Sequence, residues 1–165
     1  MARFLAIFGV TLLVLFTLEL LGPVQSGLIQ PFTSGLASIS SALILPFDDG
    51  VISSGRILRD ASSGFAVSIE SGCNGVEAAI VLIAGILAFP ARWSYKATAI
   101  LLGFFAIQVM NIARIISLFY LGQWNHTVFE WTHLYFWPVL IMIDVLVVFA
   151  IYLRWLAGKG DTVGD

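Results

Sequence analysis

Long uncharged runs constrain this chain more than any other feature. Four are apolar enough to cross, or nearly cross, a bilayer: Phe4 to Leu21, from near Cys73 to just before Pro90, about Ala97 to Leu121, and about Leu134 to Leu153. A helical span takes roughly 17–25 residues at 1.5 Å each. The second run just qualifies when counted from Cys73. Pro90 stops it, because proline has no amide proton and disfavours helix before it. With 59% hydrophobic and 11% charged residues, the 165-residue chain carries more apolar surface than a soluble domain of that size hides.

The same counts narrow the function classes. A net charge of -2 and the lack of a basic arm speak against nucleic acid as a partner. One cysteine excludes an internal disulfide and a multi-cysteine metal site, and two histidines make a poor zinc site. No cofactor or metal is expected. The first run is longer than a signal-peptide core and no Ala-x-Ala site follows it, so it reads as a retained anchor.

A fifth segment, LIQPFTSGLASISSALIL at 28–45, is punctuated by Pro31, Gly35 and four serines. Charge helps to place it. If it does not span, Arg3, Arg92, Lys96, Arg154 and Lys159 share one side, and only Arg56 and Arg59 are basic on the other. That is the positive-inside pattern. The expected topology therefore has four spans, cytoplasmic termini and outward-facing loops at 22–72 and 122–133. In the first of these loops GRILRDASSGFAVSIESGC alternates Phe65, Val67 and Ile69 with small residues. It reads as two short strands around a DASSG turn. The expected fold is an all-α polytopic membrane protein of about four transmembrane helices, with a small extracytoplasmic β-hairpin before the cysteine helix.

Charges inside spans need partners or a wet cavity. Glu19, Glu77, Arg114 and Asp144 are the four. Glu77 lies one turn below Cys73. Arg114 lies roughly 10 Å, and Asp144 roughly 16 Å, from the outer ends of their spans at 1.5 Å per residue. Gln108, Asn111, Arg114 and Ser117 recur every three residues as a polar stripe. Amides on such a stripe commonly join helices. A buried guanidinium demands a carboxylate or a substrate, and Glu77 and Asp144 are candidates. Trp124, Trp131, Tyr135 and Trp137 read as an interfacial aromatic belt around His126 and His133. Cys73 follows Ser71-Gly72 and opens a helix. There it is either a small inert hydrophobe or a thiolate stabilised by helix amides, with Gly72 and Gly75 giving access.

A thiol, an arginine and a histidine thus gather on the outer face from successive spans. In order and context they resemble the exosortase/archaeosortase family of membrane cysteine transpeptidases, and by its short length the compact exosortase H type. The matching pieces are SGCNGVEAAIVLIAG, NIARIISLFYLG and WTHLYFW, with the hairpin-like GRILRDASSGFAVSI ahead of them. They lie within roughly residues 50–155. Many family members carry a glycine shortly after the histidine, where this chain has Leu-Tyr-Phe-Trp-Pro.

The resemblance implies Cys73 as nucleophile, Arg114 as stabilising cation and His133 as general acid/base. From the polar residues of the spans themselves, Glu77, Asn111 and Asp144 are expected to support them. It implies exported substrate proteins that end in a short motif, an apolar span and a basic tail. These would be cut in the bacterial inner membrane, on its extracytoplasmic face, and passed to an acceptor. The organisation expected is an anchor at 1–27, an interfacial segment and loop at 28–72, a catalytic helical core at 73–155 and a cytoplasmic tail at 156–165. Membrane lipid is the surrounding partner. The rival reading is a non-enzymatic membrane scaffold or subunit whose polar residues only join helices.

Overall fold

A computed structural model describes residues 1–159. The chain is mostly helical, with one small sheet. Helix α1 covers Ala2–Glu19. The short α2, Gly22–Val24, runs through a π turn at Gln25–Ile29 into α3, Gln30–Ile44. Strands β1 (Val51–Ser54), β2 (Ile57–Asp60) and β3 (Ala66–Ser68) form an antiparallel sheet in that order. Helices α4 (Val76–Ala88), α5 (Trp93–Trp124), α6 (His126–Trp131) and α7 (Trp137–Gly158) follow, with a second π turn at Thr132–Phe136.

Three helical stretches are long and apolar enough to cross a membrane: Ala2–Glu19, Trp93–Trp124 and His126–Gly158. Their outward faces carry exposed Leu13, Leu101, Phe105, Leu146 and Ile151, which fits an integral membrane protein. The 13-residue α4 falls short of a full crossing, so three of the four expected spans are long enough to cross and the second, counted from Cys73 as just sufficient, is not. Helix α4 packs against α1, α5 and α7. Ala78, Ala79, Ala84, Gly85 and Ala88 are buried along it, and such small side chains let backbones approach.

The expectation that a helix opens at Cys73 is also corrected. Gly72 and Gly75 adopt left-handed φ values of 85° and 75°, which interrupt a helix and suit residues without a Cβ. Asn74 fills the gap between them. It is fully buried, its Oδ1 accepts from the Val76 amide, and its Nδ2 donates to Thr33 on α3 at 3.2 Å.

Two hydrophobic cores meet at this loop. One joins Leu36, Ala37 and Ile44 of α3 to Val51, Leu58 and Ile69 of the sheet region and to Ile115 and Phe119 of α5. The other joins Ala78, Leu82 and Ile86 of α4 to Ile107 of α5 and to Ile141, Val145 and Tyr152 of α7. Helix α5 runs through both, and Arg114 sits at their junction.

Segment 28–45 is helical despite its serines, because Thr33, Ser34 and Ser38 return their hydroxyls to the carbonyls four residues earlier. It is not among the helices long and apolar enough to cross. Its far end packs on β1 and β2. Helix runs through residues 22–44, across the expected boundary at 27, and α7 passes residue 155 to end at Gly158. Of the expected tail, residues 160–165 lie outside the described residues.

Strands β2 and β3 fall on the two alternating stretches, and β1 is a third strand that the alternation does not mark. Asp60 organises the β2–β3 turn. Its carboxylate accepts from the amides and hydroxyls of Ser62 and Ser63, which hold its pKa down at about 2. Gly122 on α5 lets the sheet dock: a Cβ there would come within 2.3 Å of the Phe65 ring.

Candidate active site

Cys73, Arg114 and His133 come together from three different elements. Cys73 sits in the loop before α4, held by its own amide, which donates to the Glu70 carbonyl at 2.9 Å. His133 lies on the π turn before α7, with Nε2 3.2 Å from the Cys73 sulfur. Arg114 reaches up from α5. Its Nη2 donates to the sulfur at 3.4 Å and its Nη1 to the Gly72 carbonyl at 3.3 Å.

Local sequence explains how His133 arrives there. Pro138 has no amide proton, so the bond it would make to the carbonyl of Leu134 is missing. The helix ahead of it takes a wider π turn, and His133 lies on that turn. Pro31 follows the other π turn in the same way. Before His133, the Asn125 side chain accepts from the amides of Thr127 and Val128 and so caps α6. Phe129 on α6 then packs against the imidazole, with ring centroids 5.6 Å apart. Among the described residues no side chain hydrogen-bonds the imidazole's Nδ1, so packing and the π turn set its orientation.

The Gly72 unit is held from both sides. Its carbonyl takes Arg114, and its amide donates to the Glu77 carboxylate. Glu77 therefore buttresses the cysteine loop and does not pair with Arg114. Its carboxylate is also within hydrogen-bonding reach of Glu19, which is buried at the end of α1. Arg114 is 4% exposed, and among the described residues it has no carboxylate partner. Its charge is directed at the sulfur and at the Gly72 carbonyl.

Asp144, expected as a partner for that charge, is not one. It forms no ion pair among the described residues, and one of its oxygens is buried without a hydrogen bond. Asn111 is fully buried one turn below Arg114, and neither its amide nitrogen nor its amide oxygen has a partner. Gly75 packs tightly against it: a Cβ there would lie 3.0 Å from Gln108 and 3.4 Å from Asn111. Gly75 thus serves helix packing, and it also lines a cavity with Gly72, Glu77 and Arg114.

His126 is exposed and faces Glu130 at 3.7 Å, away from the thiol. Trp137, expected in the interfacial belt, is buried and donates to Ser117 at 3.0 Å. Ser117 in turn donates to the Arg114 carbonyl at 2.9 Å. That chain of bonds fastens α7 to the turn of α5 that carries Arg114. Asn74 and Glu19 are the residues that sequence reasoning did not assign to the site. An Asn before Gly at a helix start is a capping signal, whereas nothing local to Glu19 points to Glu77.

Burial favours the neutral thiol over the thiolate at Cys73. Burial pushes the Cys73 pKa up, Arg114 opposes the rise, and the Glu77 and Glu70 carboxylates add to it. Because Cys73 lies ahead of α4, helix amides do not supply the expected stabilisation of a thiolate. Arg114 fills one acceptor direction on sulfur, which leaves the S–H free to point at Nε2. Such a pair transfers its proton as the sulfur attacks, with the guanidinium fixed beside the developing charge. A cavity of about 40 Å³, lined by Val67, Ile69, Ile115, Leu118 and Phe129, opens onto the thiol and imidazole. Among the described residues no cluster of side chains fits a metal ion. No protein-family model, curated protein or solved structure matches the chain.

Proposed function

We propose that this chain is an exosortase-like cysteine transpeptidase that cuts C-terminal sorting signals from exported proteins. The observation that carries the reading is the contact of one thiol with both an imidazole and a buried guanidinium that has no carboxylate partner among the described residues. Holding helices together does not require a guanidinium directed at the only cysteine in the chain.

Cys73 attacks a substrate peptide carbonyl and passes its proton to His133, giving a tetrahedral adduct whose oxyanion Arg114 stabilises. His133 then protonates the leaving amine, and a thioester remains on Cys73. An incoming nucleophile, deprotonated by His133, takes the acyl group and restores the thiol. Two amides of the cysteine loop are already used, Gly72 by Glu77 and Cys73 by Glu70, so the oxyanion charge falls mainly to Arg114.

In this reading α1, α5 and α7 cross the inner membrane and α4 fills the space between them, shielded from lipid by their bulk. Helix α5 has 32 residues, roughly 48 Å, against a hydrocarbon core of roughly 30 Å. Its last turns rise past the membrane and carry the sheet. Arg114, 21 residues after Trp93, is roughly 31 Å along the helix and lies near the outer boundary. The substrate's apolar span packs against the bundle in lipid, with its basic tail on the cytoplasmic side.

Labelling intact cells with a membrane-impermeant thiol reagent tests the placement. The reading expects Cys73 to be tagged from outside, and tagging only after lysis contradicts it.

A further inference from the structure

Strand β3 ends five residues before Cys73, and among the described residues its outer edge has no strand partner. Its hydrogen-bond parity can be read from its ends. The Asp60 amide donates to the Phe65 carbonyl at 2.9 Å, and the Ile69 amide donates to the Arg56 carbonyl at 3.0 Å. With Leu58 opposite Val67, the groups of Phe65, Val67 and Ile69 turn toward β2. Those of Ala66 and Ser68 turn the other way, and both residues are exposed. Two residues of one strand thus offer amide and carbonyl pairs outward, at the spacing that an added strand needs.

That edge borders the candidate active site. Val67, Ser68 and Ile69 line the same small cavity as Cys73, Arg114, Phe129 and His133. We infer that the substrate docks as an extended peptide added to β3 as a fourth strand, hydrogen-bonded to the outward backbone groups of Ala66 and Ser68. This addition lays its scissile carbonyl over Cys73. The cavity of about 40 Å³ receives the side chain next to that carbonyl. Its apolar lining suits a small aliphatic side chain there. The inference rests on the reading of Cys73 as a nucleophile.

The test uses the full-length protein in detergent or vesicles and follows Cys73 alkylation by mass spectrometry. The probes are acetyl-Ala-Ala-Ala chloromethyl ketone, the same peptide N-methylated at each amide in turn, and iodoacetamide. In each case the sulfur–carbon bond forms, halide leaves and the thiol proton is released. Rates are divided by those of glutathione with the same reagent. The peptide probe is expected to show about a tenfold advantage over iodoacetamide, equal to about 1.4 kcal/mol. N-methylation at one amide abolishes the advantage, because it removes the donor without altering the protein. Ser68→Pro removes the protein-side donor and lowers the peptide-probe rate to that of the N-methylated probe. Equal rates for the parent and every N-methylated probe on the wild-type protein overturn strand addition while leaving the nucleophile intact. A Cys73 that reacts with neither class of reagent overturns the nucleophile, and the docking mode with it.

Discussion

At the scale of single residues, the account turns on what surrounds one sulfur atom. Burial raises the Cys73 pKa and Arg114 restrains that rise. The thiol is therefore protonated at neutral pH, and the thiolate fraction grows as pH climbs past the ordinary thiol value. Removing the cation as Arg114→Ala moves that climb further into alkali. Alkylation at pH 8 slows accordingly. A pH series of iodoacetamide labelling measures it, and superimposable wild-type and Arg114→Ala profiles are the contrary result. Asp144 supplies a contrast, since it makes no ion pair among the described residues. Asp144→Asn leaves the labelling profile of Cys73 where it was, whereas a displaced profile would return Asp144 to the site. Spacing alone offered Glu77 and Asp144 equally as partners for Arg114. It could not separate them, because an arginine's partner depends on how three helices rotate against one another.

Among the elements, the two that present the site are irregular for identifiable reasons. Pro138 forces the π turn that carries His133, so Pro138→Ala allows a regular helix and rotates the imidazole away from the sulfur. The expected outcome is a protein that still inserts and folds, with the substrate-processing rate down by about tenfold or more, since small misplacements of catalytic groups have effects of that order. Unchanged processing would show that the π turn is incidental. The β2–β3 turn depends on Asp60, whose folded pKa of about 2 lies below the ordinary 3.8. A depressed carboxylate stabilises the fold above the ordinary value and loses that contribution as pH falls through the folded one. Protection of the Ser62 and Ser63 amides against hydrogen exchange, followed at decreasing pH, should therefore weaken between about pH 4 and 2. In Asp60→Ala it should be absent already at neutral pH. Alternation at Phe65, Val67 and Ile69 made this region legible as strand. Helix α4 starts three residues later than expected because Gly72 and Gly75 take left-handed φ values, which spacing in the sequence does not reveal.

For the whole molecule, apolar runs showed three long helices and gave the order in which thiol, guanidinium and imidazole occur. They did not show that α4 is enclosed, since a buried helix and a spanning one are equally apolar in sequence. Nor did they show that α3 turns back to hold the cysteine loop through Thr33 and Asn74. That contact joins elements 41 residues apart and leaves no periodic trace. The glycine contacts are equally silent until the packing is seen. Gly122 accommodates the Phe65 ring, so Gly122→Leu separates the sheet from α5. It should destabilise the protein by about 1–3 kcal/mol, the range of overpacked cores, measured as a loss of thermal stability in detergent.

The central claim is that Cys73 cuts and transfers the C-termini of exported proteins, and envelope proteomics tests it most directly. C-terminal peptides of exported proteins are compared between cells carrying the wild-type chain and cells carrying Cys73→Ala at equal membrane abundance. The account predicts a set of proteins that lose their apolar span and basic tail in the wild type and keep them in the variant. Identical C-termini in the two strains, with both proteins present in the membrane, would contradict it.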